Sequence, residues 1–143
     1  MTVTDLRTER ERSTRDMLQA NVDSTREYLA TVDLDAESPD EESIEREQFE
    51  EGILDLYVTA EVRSTGTTPQ TLTLVLGTGG PHIEAVVAVD GRTWAEVRGY
   101  WGGDRIVESV TLSDTVLAWC QDYADMLDAE QSRPTYEVPR LPL

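Results

Sequence analysis

The residues with the greatest chemical potential lie in a glycine-rich corner of the chain, Gly77-Thr78-Gly79-Gly80-Pro81-His82. Consecutive backbone N–H groups in such a turn can form a concave site for an anion. The corner matches neither the P-loop pattern GxxxxGKS/T nor the dinucleotide pattern GxGxxG, and it leads into a predicted strand instead of a helix N-terminus. A wide hairpin loop is therefore the favoured interpretation, and anion binding is the alternative.

The only histidine and the only cysteine limit the metal and covalent chemistry open to the chain. One imidazole, His82, cannot supply a metal site that needs two or three, and one thiol excludes an intrachain disulfide and a multi-thiolate zinc site. His82 could serve in a Ser-His-Asp arrangement, but no GxSxG signature accompanies it, so a surface role is favoured. Cys120 falls on the apolar stripe of a predicted helix, where thiols are usually inert. We expect no catalytic residue, no metal and no cofactor.

Three aromatic residues, Trp94, Tyr100 and Trp101, lie along and beside the next predicted strand. Strand alternation places Trp94 and Tyr100 on one face and Ala95 and Val97 on the other. If Ala95 and Val97 face the core, the two aromatics lie outside, where they can form a binding surface among charged neighbours. Ordinary cross-strand pairing at the sheet margin is the alternative. The predicted binding surface comprises Gly77, Thr78, Gly79, Gly80, His82, Trp94, Tyr100 and Trp101.

Five stretches in which apolar side chains alternate at period two position these residues. The predicted connections are a loop at Ser64–Gln70, the glycine corner, a two-residue hairpin turn at Asp90-Gly91 and a turn at Trp101–Asp104. Connections this short leave no room for crossover helices, so an antiparallel meander of four or five strands is predicted. The strands are expected at Ile53–Arg63, Leu72–Leu76, Ile83–Val89, Arg92–Tyr100 and, more briefly, Arg105–Val110.

Two amphipathic helices flank the predicted sheet. Apolar or small residues recur every three or four positions from Met17 to Val32 and again from Leu112 to Ala129, so each helix has one apolar face. An antiparallel sheet needs cover on its apolar face. The predicted fold class is therefore α+β, a four- to five-stranded antiparallel meander covered on one face by the N- and C-terminal helices.

The remaining segments are predicted to add little to the core of a single domain spanning residues 1–143. Residues 33–51 form an acidic connector with a short helix, which Ser38 would cap and Pro39 would begin. A disordered connector is the alternative reading of this segment. Residues 1–16 are expected to fray, and residues 134–143, rich in proline, to run extended along the surface.

The charge balance is unusual: the chain has 29 acidic residues and 12 basic ones, giving a formal net charge of -17. Every basic residue is an arginine, and lysine does not occur. This composition resembles that of proteins from halophilic archaea, whose cytoplasm holds molar salt. At about 1 M salt the Debye length is only about 3 Å, so like charges on a surface repel one another weakly. Carboxylates then keep the surface hydrated, which favours adaptation to salt as the cause of the acidity.

A functional explanation of the same charge is that the chain imitates the phosphate backbone and occupies a nucleic-acid-binding enzyme. Direct binding of nucleic acid is not expected, because no stripe of basic residues could neutralise phosphates. No apolar run approaches the length of a membrane span, and the first residues lack the apolar core of a signal peptide. We therefore expect a cytoplasmic protein without membrane contact, a monomer or weak homodimer with an unknown protein partner.

The segment LGTGGPHIEAVVAVDGRTWAEVRGYWGGD resembles the centre of a group of small uncharacterised proteins from phages, plasmids and microbial genomes. In those proteins a strand ends in Leu-Ser-Thr-Gly-Gly-Pro, and a hairpin and an aromatic-acidic stretch follow. Here Gly77 replaces the serine, and Tyr100–Asp104 matches the aromatic-acidic part only loosely. The resemblance implies a strand–corner–strand unit and an origin in a mobile element, and it implies no particular activity.

Three functional hypotheses follow from the sequence. The first is a small, acidic, non-enzymatic binding or accessory protein adapted to high salt. The second is an acidic mimic of nucleic acid that inhibits a host or defence enzyme. The third is an enzyme that uses His82 with nearby acidic residues.

Overall fold

The structure, a computed structural model, describes residues 9–36 and 43–131 of the chain. In the described part of the chain, two helices precede a continuous run of five strands, and a third helix follows the strands. They are α1 (Glu9–Thr31), α2 (Ile44–Gly52), β1 (Asp55–Arg63), β2 (Gly66–Gly77), β3 (His82–Ala88), β4 (Ala95–Trp101), β5 (Asp104–Ser109) and α3 (Asp114–Gln131). None of these helices is long and apolar enough to span a membrane.

The strands form one sheet in the order β1-β2-β3-β4-β5, and every neighbouring pair is antiparallel. The predicted α+β class and antiparallel meander are confirmed. The loop predicted at Ser64–Gln70 is wrong, because β2 already begins at Gly66 and pairs there with Arg63. Pro69 is accommodated within the strand where the register shifts between Thr59 and Ala60, since a proline without an N–H is tolerated at such an irregularity.

The connection between β3 and β4 is longer than the predicted two-residue turn. Strand β4 begins at Ala95, not at Arg92, and the Ala88 N–H donates to the Trp94 carbonyl at 3.0 Å where the loop closes. The Asp90 carboxylate accepts from the backbone N–H of Arg92 at 3.3 Å and from its guanidinium Nε at 2.9 Å. Such local side-chain bonds hold the backbone in a loop and compete with the strand ladder.

Helices α1 and α3 cover the same face of the sheet, as predicted. Leu72 and Leu74 of β2 and Val97 of β4 are fully buried in the resulting core. The helices contribute Leu18, Val22 and Leu29 from α1 and Val116, Cys120 and Ala124 from α3. Helix α1 begins at Glu9 and thus extends several residues before Met17, where the sequence pattern sharpens.

The opposite face of the sheet, here called the open face, faces away from α1 and α3. Two of its valines are nonetheless buried, Val75 at 2% exposure and Val86 at 5%. Val75 lies between Asp55 and Glu84 across the strands, so polar side chains flank it on both sides. The centre of the open face is therefore polar at its surface, while Tyr57 in β1 and Val107 in β5 expose apolar side chains near its two edges.

Helix α2 is a short docked helix, as predicted, but its start differs. The cap is Ser43, whose hydroxyl accepts from the Arg46 N–H at 3.3 Å. The predicted cap, Ser38, lies outside the described residues, as do the predicted tail 134–143 and residues 1–8. Phe49 anchors the helix by an edge-on contact with Trp119, with ring centroids 5.2 Å apart.

Gly99 marks the closest approach of α1 to β4. A Cβ atom there would lie 2.7 Å from Val22 Cγ2 and 2.9 Å from Leu18 Cδ1, both on fully buried side chains. Contacts under 3 Å require these buried side chains, or the helix and strand that carry them, to shift. The missing side chain therefore sets how closely α1 packs on the sheet.

Gly99→Ala is expected to lower the free energy of unfolding by about 1–3 kcal/mol, the usual cost of overpacking a tight core. Chemical denaturation in about 2 M KCl measures the change. Gly103→Ala is the matched control, because nothing lies within 4 Å of its Cβ position. Equal stability of the two variants would contradict the close approach.

Candidate functional site

The predicted binding surface divides between two ends of the sheet. Trp94 precedes β4 and Trp101 ends it, so the two residues lie about 20 Å apart along the strand. At the Trp101 end, the structure brings together the glycine corner, His82 and Tyr100. Trp94 belongs to a separate cleft at the other end.

The glycine corner is a hairpin loop between β2 and β3, as the favoured interpretation expected. Gly79 has φ +81°, a backbone conformation that side chains disfavour. A Cβ on Gly80 would lie 3.3 Å from the Trp101 ring, so this glycine leaves room for the indole. The glycines thus serve the turn and the packing of Trp101.

Three polar side chains of the open face meet beside this corner. The imidazole Nε2 of His82 lies 3.2 Å from Glu84 Oε2, and the Tyr100 hydroxyl donates to Glu84 Oε1 at 3.5 Å. The His82 and Tyr100 rings are 5.7 Å apart, and the Arg105 guanidinium lies 5.9 Å from the Tyr100 centroid. The position of Tyr100 on the outer face agrees with the strand alternation.

This cluster could exchange a proton, because a carboxylate oriented toward an imidazole is a common acid–base pair. Its side chains lie on an open surface, with 37% of His82 and 16% of Glu84 exposed, so water has access to the pair. Within the described residues, no hydroxyl or thiol nucleophile is hydrogen-bonded to His82. Nor do the described residues contain a group of three or more His, Cys, Asp or Glu side chains that could hold a metal ion.

The second location is a cleft between the β3–β4 loop and the first turns of α3, here called the Trp94 cleft. Its volume is about 480 Å³. The apolar lining includes Trp94, Leu112, Leu117 and Ala118, while Arg92, Asp114 and Gln121 supply polar groups. Trp94 lies in the loop before β4 and lines this cleft with residues of α3, apart from Tyr100 at the other end of the strand.

The walls of the Trp94 cleft are fixed by hydrogen bonds that join distant parts of the chain. The Gln121 amide donates to the Val89 carbonyl at 3.3 Å and so ties α3 to the β3–β4 loop. The Ser113 N–H donates to the Leu29 carbonyl at 2.9 Å, and the Thr115 hydroxyl accepts from the Leu34 N–H at 2.9 Å. These two bonds fasten the start of α3 to the end of α1. The cleft is thus formed before any ligand arrives.

The charges at the cleft leave its mouth acidic. The Arg92 guanidinium pairs with the Asp90 carboxylate at 2.8 Å, and this hydrogen bonding lowers the pKa of Asp90. The arginine charge is therefore locally balanced. Asp114 lies in the first turn of α3 and is exposed. A neutral or cationic group suits this mouth better than an anion does.

Sequence reasoning found Trp94 but missed the other residues of the cleft. They come from the β3–β4 loop and from α3, which β4 and β5 separate in the sequence, so no local pattern joins them. Two signals were present: the Asp90-Gly91 pair and the polar start of the helix after Val110. Neither signal indicates that the loop and the helix meet.

No protein-family model matches the chain, and the comparisons with curated proteins and with solved structures likewise find no match.

Cys120 is the remaining candidate for covalent chemistry. It lies in the core on α3, with no exposed surface. Burial raises the pKa of its thiol from 9.0 to about 12, because a thiolate would lose its hydration there. Only the thiolate attacks electrophiles efficiently. Cys120 is therefore a packing residue in the folded protein.

Folded protein in about 2 M KCl at pH 8 is expected to resist alkylation by iodoacetamide, whereas unfolded protein should react completely. Mass spectrometry after timed quenching measures both. The native thiol pKa of about 12 exceeds the ordinary 9.0, so the thiol's contribution to stability declines as the pH rises between these values. The free energy of unfolding should fall more steeply with alkaline pH in the wild type than in Cys120→Ala. Rapid alkylation of the folded protein would show that the thiol is accessible.

Proposed function

We propose that this chain is a small, non-enzymatic binding protein of a high-salt cytoplasm, and that its ligand occupies the Trp94 cleft. The observation that carries the proposal is the cleft itself, a preformed space of about 480 Å³ with a tryptophan wall. Ligand sites typically enclose about 300–1,000 Å³ and combine apolar walls with a few polar groups. The Trp94 cleft has both properties.

The charges restrict the class of ligand. Asp114 lies at the mouth, Arg92 is balanced by Asp90, and the whole chain carries a net charge of -17. In molar salt the net charge is screened, so it is Asp114 in the cleft lining that disfavours an anion at short range. The ligand is therefore a neutral or cationic molecule, or side chain, with an aromatic or aliphatic body that packs on Trp94.

The distribution of acidic residues supports adaptation to salt over imitation of nucleic acid. A mimic needs carboxylates in a row on one face, whereas here carboxylates occur on every helix and across the sheet. Examples are Asp23 and Glu27 on α1, Glu47 and Glu51 on α2, Glu61, Glu96 and Glu108 on strands, and Asp122 and Asp125 on α3. Six described arginines pair with carboxylates at 2.7–3.5 Å, and none of the described charged residues is buried.

Ligand class is tested with three probes of similar shape: tryptamine, a cation; indole, which is neutral; and indoleacetate, an anion. Tryptamine and indole are expected to bind with dissociation constants on the order of 1 mM or tighter, as their size allows, and to shift the Trp94 indole N–H signal in NMR spectra. Indoleacetate should bind more weakly, because the mouth is acidic.

Ala118→Leu supplies the decisive variant for this test, because the larger side chain fills part of the cleft. Binding should weaken at least several-fold. Ala30→Leu is the matched control, an exposed helical alanine on α1 away from the cleft. Unchanged binding by Ala118→Leu, or no shift of the Trp94 signal with any probe, would refute the ligand site.

Stability is expected to rise with salt. The helices carry several like-charge pairs three or four residues apart, such as Glu47 with Glu51 and Asp122 with Asp125. Each such pair costs a few tenths of a kcal/mol at low salt, and screening removes the cost. The free energy of unfolding should therefore be higher by about 2 kcal/mol in 2 M KCl than in 0.1 M KCl.

Chemical denaturation followed by circular dichroism measures this salt dependence. The variant Glu51→Gln/Asp122→Asn/Asp125→Asn should gain less from salt than the wild type, because it removes three of the repelling charges. Equal stability of the wild type in 0.1 M and 2 M KCl would contradict salt adaptation while leaving the Trp94 cleft open to its own test.

A further inference from the structure

Strand β1 is the edge of the sheet on the side of β2, and it carries unusually exposed apolar side chains. The three most exposed large apolar residues among those described are Val62 at 78%, Leu54 at 57% and Tyr57 at 55%. Two lie in β1, and Leu54 immediately precedes it. Of the nine exposed large apolar residues among those described, the three most exposed thus lie along this one margin.

This edge carries charged side chains at Asp55, Glu61 and Arg63 but lacks the other protection that edge strands usually have. Strand β1 is nine residues long and contains neither proline nor lysine. At the register shift between Thr59 and Ala60, the extra residue lies on β2 and not on β1. The opposite edge, β5, has six residues, and Arg26 Nε donates to its terminal Ser109 carbonyl at 2.8 Å. A long, flat, uncovered edge is a template for another strand. Among the described residues, no strand pairs with the outer side of β1, so β1 can act as a template, whereas β5 is partly capped.

The hairpin turn fixes which backbone groups of β1 are free. Arg63 and Gly66 flank the two-residue turn, so they exchange hydrogen bonds with each other. Alternate residues of an antiparallel strand point their N–H and C=O groups to opposite sides. The odd-numbered residues of β1 therefore bond to β2. The outward groups belong to Leu56, Val58, Ala60 and Val62.

These outward groups are self-complementary. When a second β1 approaches antiparallel, even-numbered residues must pair with even-numbered residues. The register that overlaps the whole strand pairs Leu56 with Val62 and Val58 with Ala60 of the second copy, and Thr59 then faces its own counterpart. We propose that two copies of this chain join through β1 in this register, with Thr59 on the two-fold axis, into a continuous ten-stranded sheet.

The side chains agree with this register. Asp55 lies opposite Arg63 of the second copy, and Tyr57 lies opposite Glu61 of the second copy, all on the open face. Within one chain, Asp55 accepts from the Tyr57 hydroxyl at 2.7 Å and Glu61 accepts from Arg63 at 2.8 Å. Pairing brings these two local bonds together as a four-residue network at each end of the interface. On the covered face, Leu56 of one copy covers the exposed Val62 of the other.

The net charge makes this dimer dependent on salt. Each copy carries -17, so two copies repel at low ionic strength. In molar salt the Debye length falls to about 3 Å, and the hydrogen bonds and apolar contacts of the edge dominate. The dimer is therefore expected in about 2 M KCl and the monomer in about 0.1 M KCl.

Light scattering coupled to size-exclusion chromatography tests the assembly on the full chain. At roughly 100 μM protein in about 2 M KCl, the mass should be twice the 16.0 kDa of one chain. A chain that stays monomeric under these conditions overturns the proposal, even if β1 binds another protein.

A cysteine at position 59 tests the register. Facing residues that are not hydrogen-bonded to each other have Cα atoms about 4.5 Å apart, within the range of a disulfide. Thr59→Cys should therefore cross-link rapidly under mild oxidation in about 2 M KCl, and slowly at low salt. The native thiol, Cys120, is buried and does not compete.

Glu61→Cys is the matched control, an exposed-face position of the same strand. In the proposed register its counterpart lies four residues away along the strand, about 13 Å, too far for a disulfide. Cross-linking of Glu61→Cys as fast as Thr59→Cys overturns the register.

Charge exchange tests the side-chain pairing independently. Asp55→Arg places two arginines opposite each other, and the dimer should weaken on the order of tenfold, since two cross-strand pairs change at once. The double variant Asp55→Arg/Arg63→Asp restores opposite charges and should recover most of the affinity. A double variant as weak as the single one overturns the pairing of Asp55 with Arg63.

Discussion

The fastening of α1 to α3 is the constraint on which the rest of the structure depends. The start of α3 is held to the end of α1 by the bonds from Ser113 to Leu29 and from Leu34 to Thr115. Two helices joined end to end in this way must lie on the same face of the sheet. The apolar faces of α1 and α3 therefore cover one side of the sheet, and polar side chains surround the few apolar ones on the opposite face.

This one-sided cover explains where surface suited to binding occurs. The loop before β4 meets the fastened start of α3, which creates the Trp94 cleft. Helix α1 lies over β4 and β5, and α3 lies over β2, while β1 is contacted chiefly by β2. The first strand thus extends beyond α1 and α3, and among the described residues β2 is the only strand that pairs with it. The Trp94 cleft and the β1 edge both arise because α1 and α3 do not extend over all five strands.

Much of the fold could be predicted from periodicity alone, because each strand has one buried face and each long helix one apolar stripe. Ala95 and Val97 faced the core as the alternation indicated. Errors arose where a local bond or irregularity overrides the pattern. Asp90 holds Arg92 in the loop, so β4 starts late, and the bulge beside Thr59 admits Pro69 into β2. The Trp94 cleft could not be predicted, since its walls meet only through tertiary contacts such as that of Gln121 with Val89.

The recessed valines of the open face have a consequence for how other molecules meet this one. Val75 and Val86 are shielded by their polar neighbours, so the centre of the open face presents charged and hydroxyl groups to an approaching molecule. Large apolar side chains are most exposed along the β1 margin, at Leu54, Tyr57 and Val62. A molecule that approaches the centre of the broad side meets mainly polar groups, whereas one at the β1 margin meets apolar side chains and backbone groups that no described strand pairs. The side from which another molecule approaches thus decides how much apolar surface the first contact can bury.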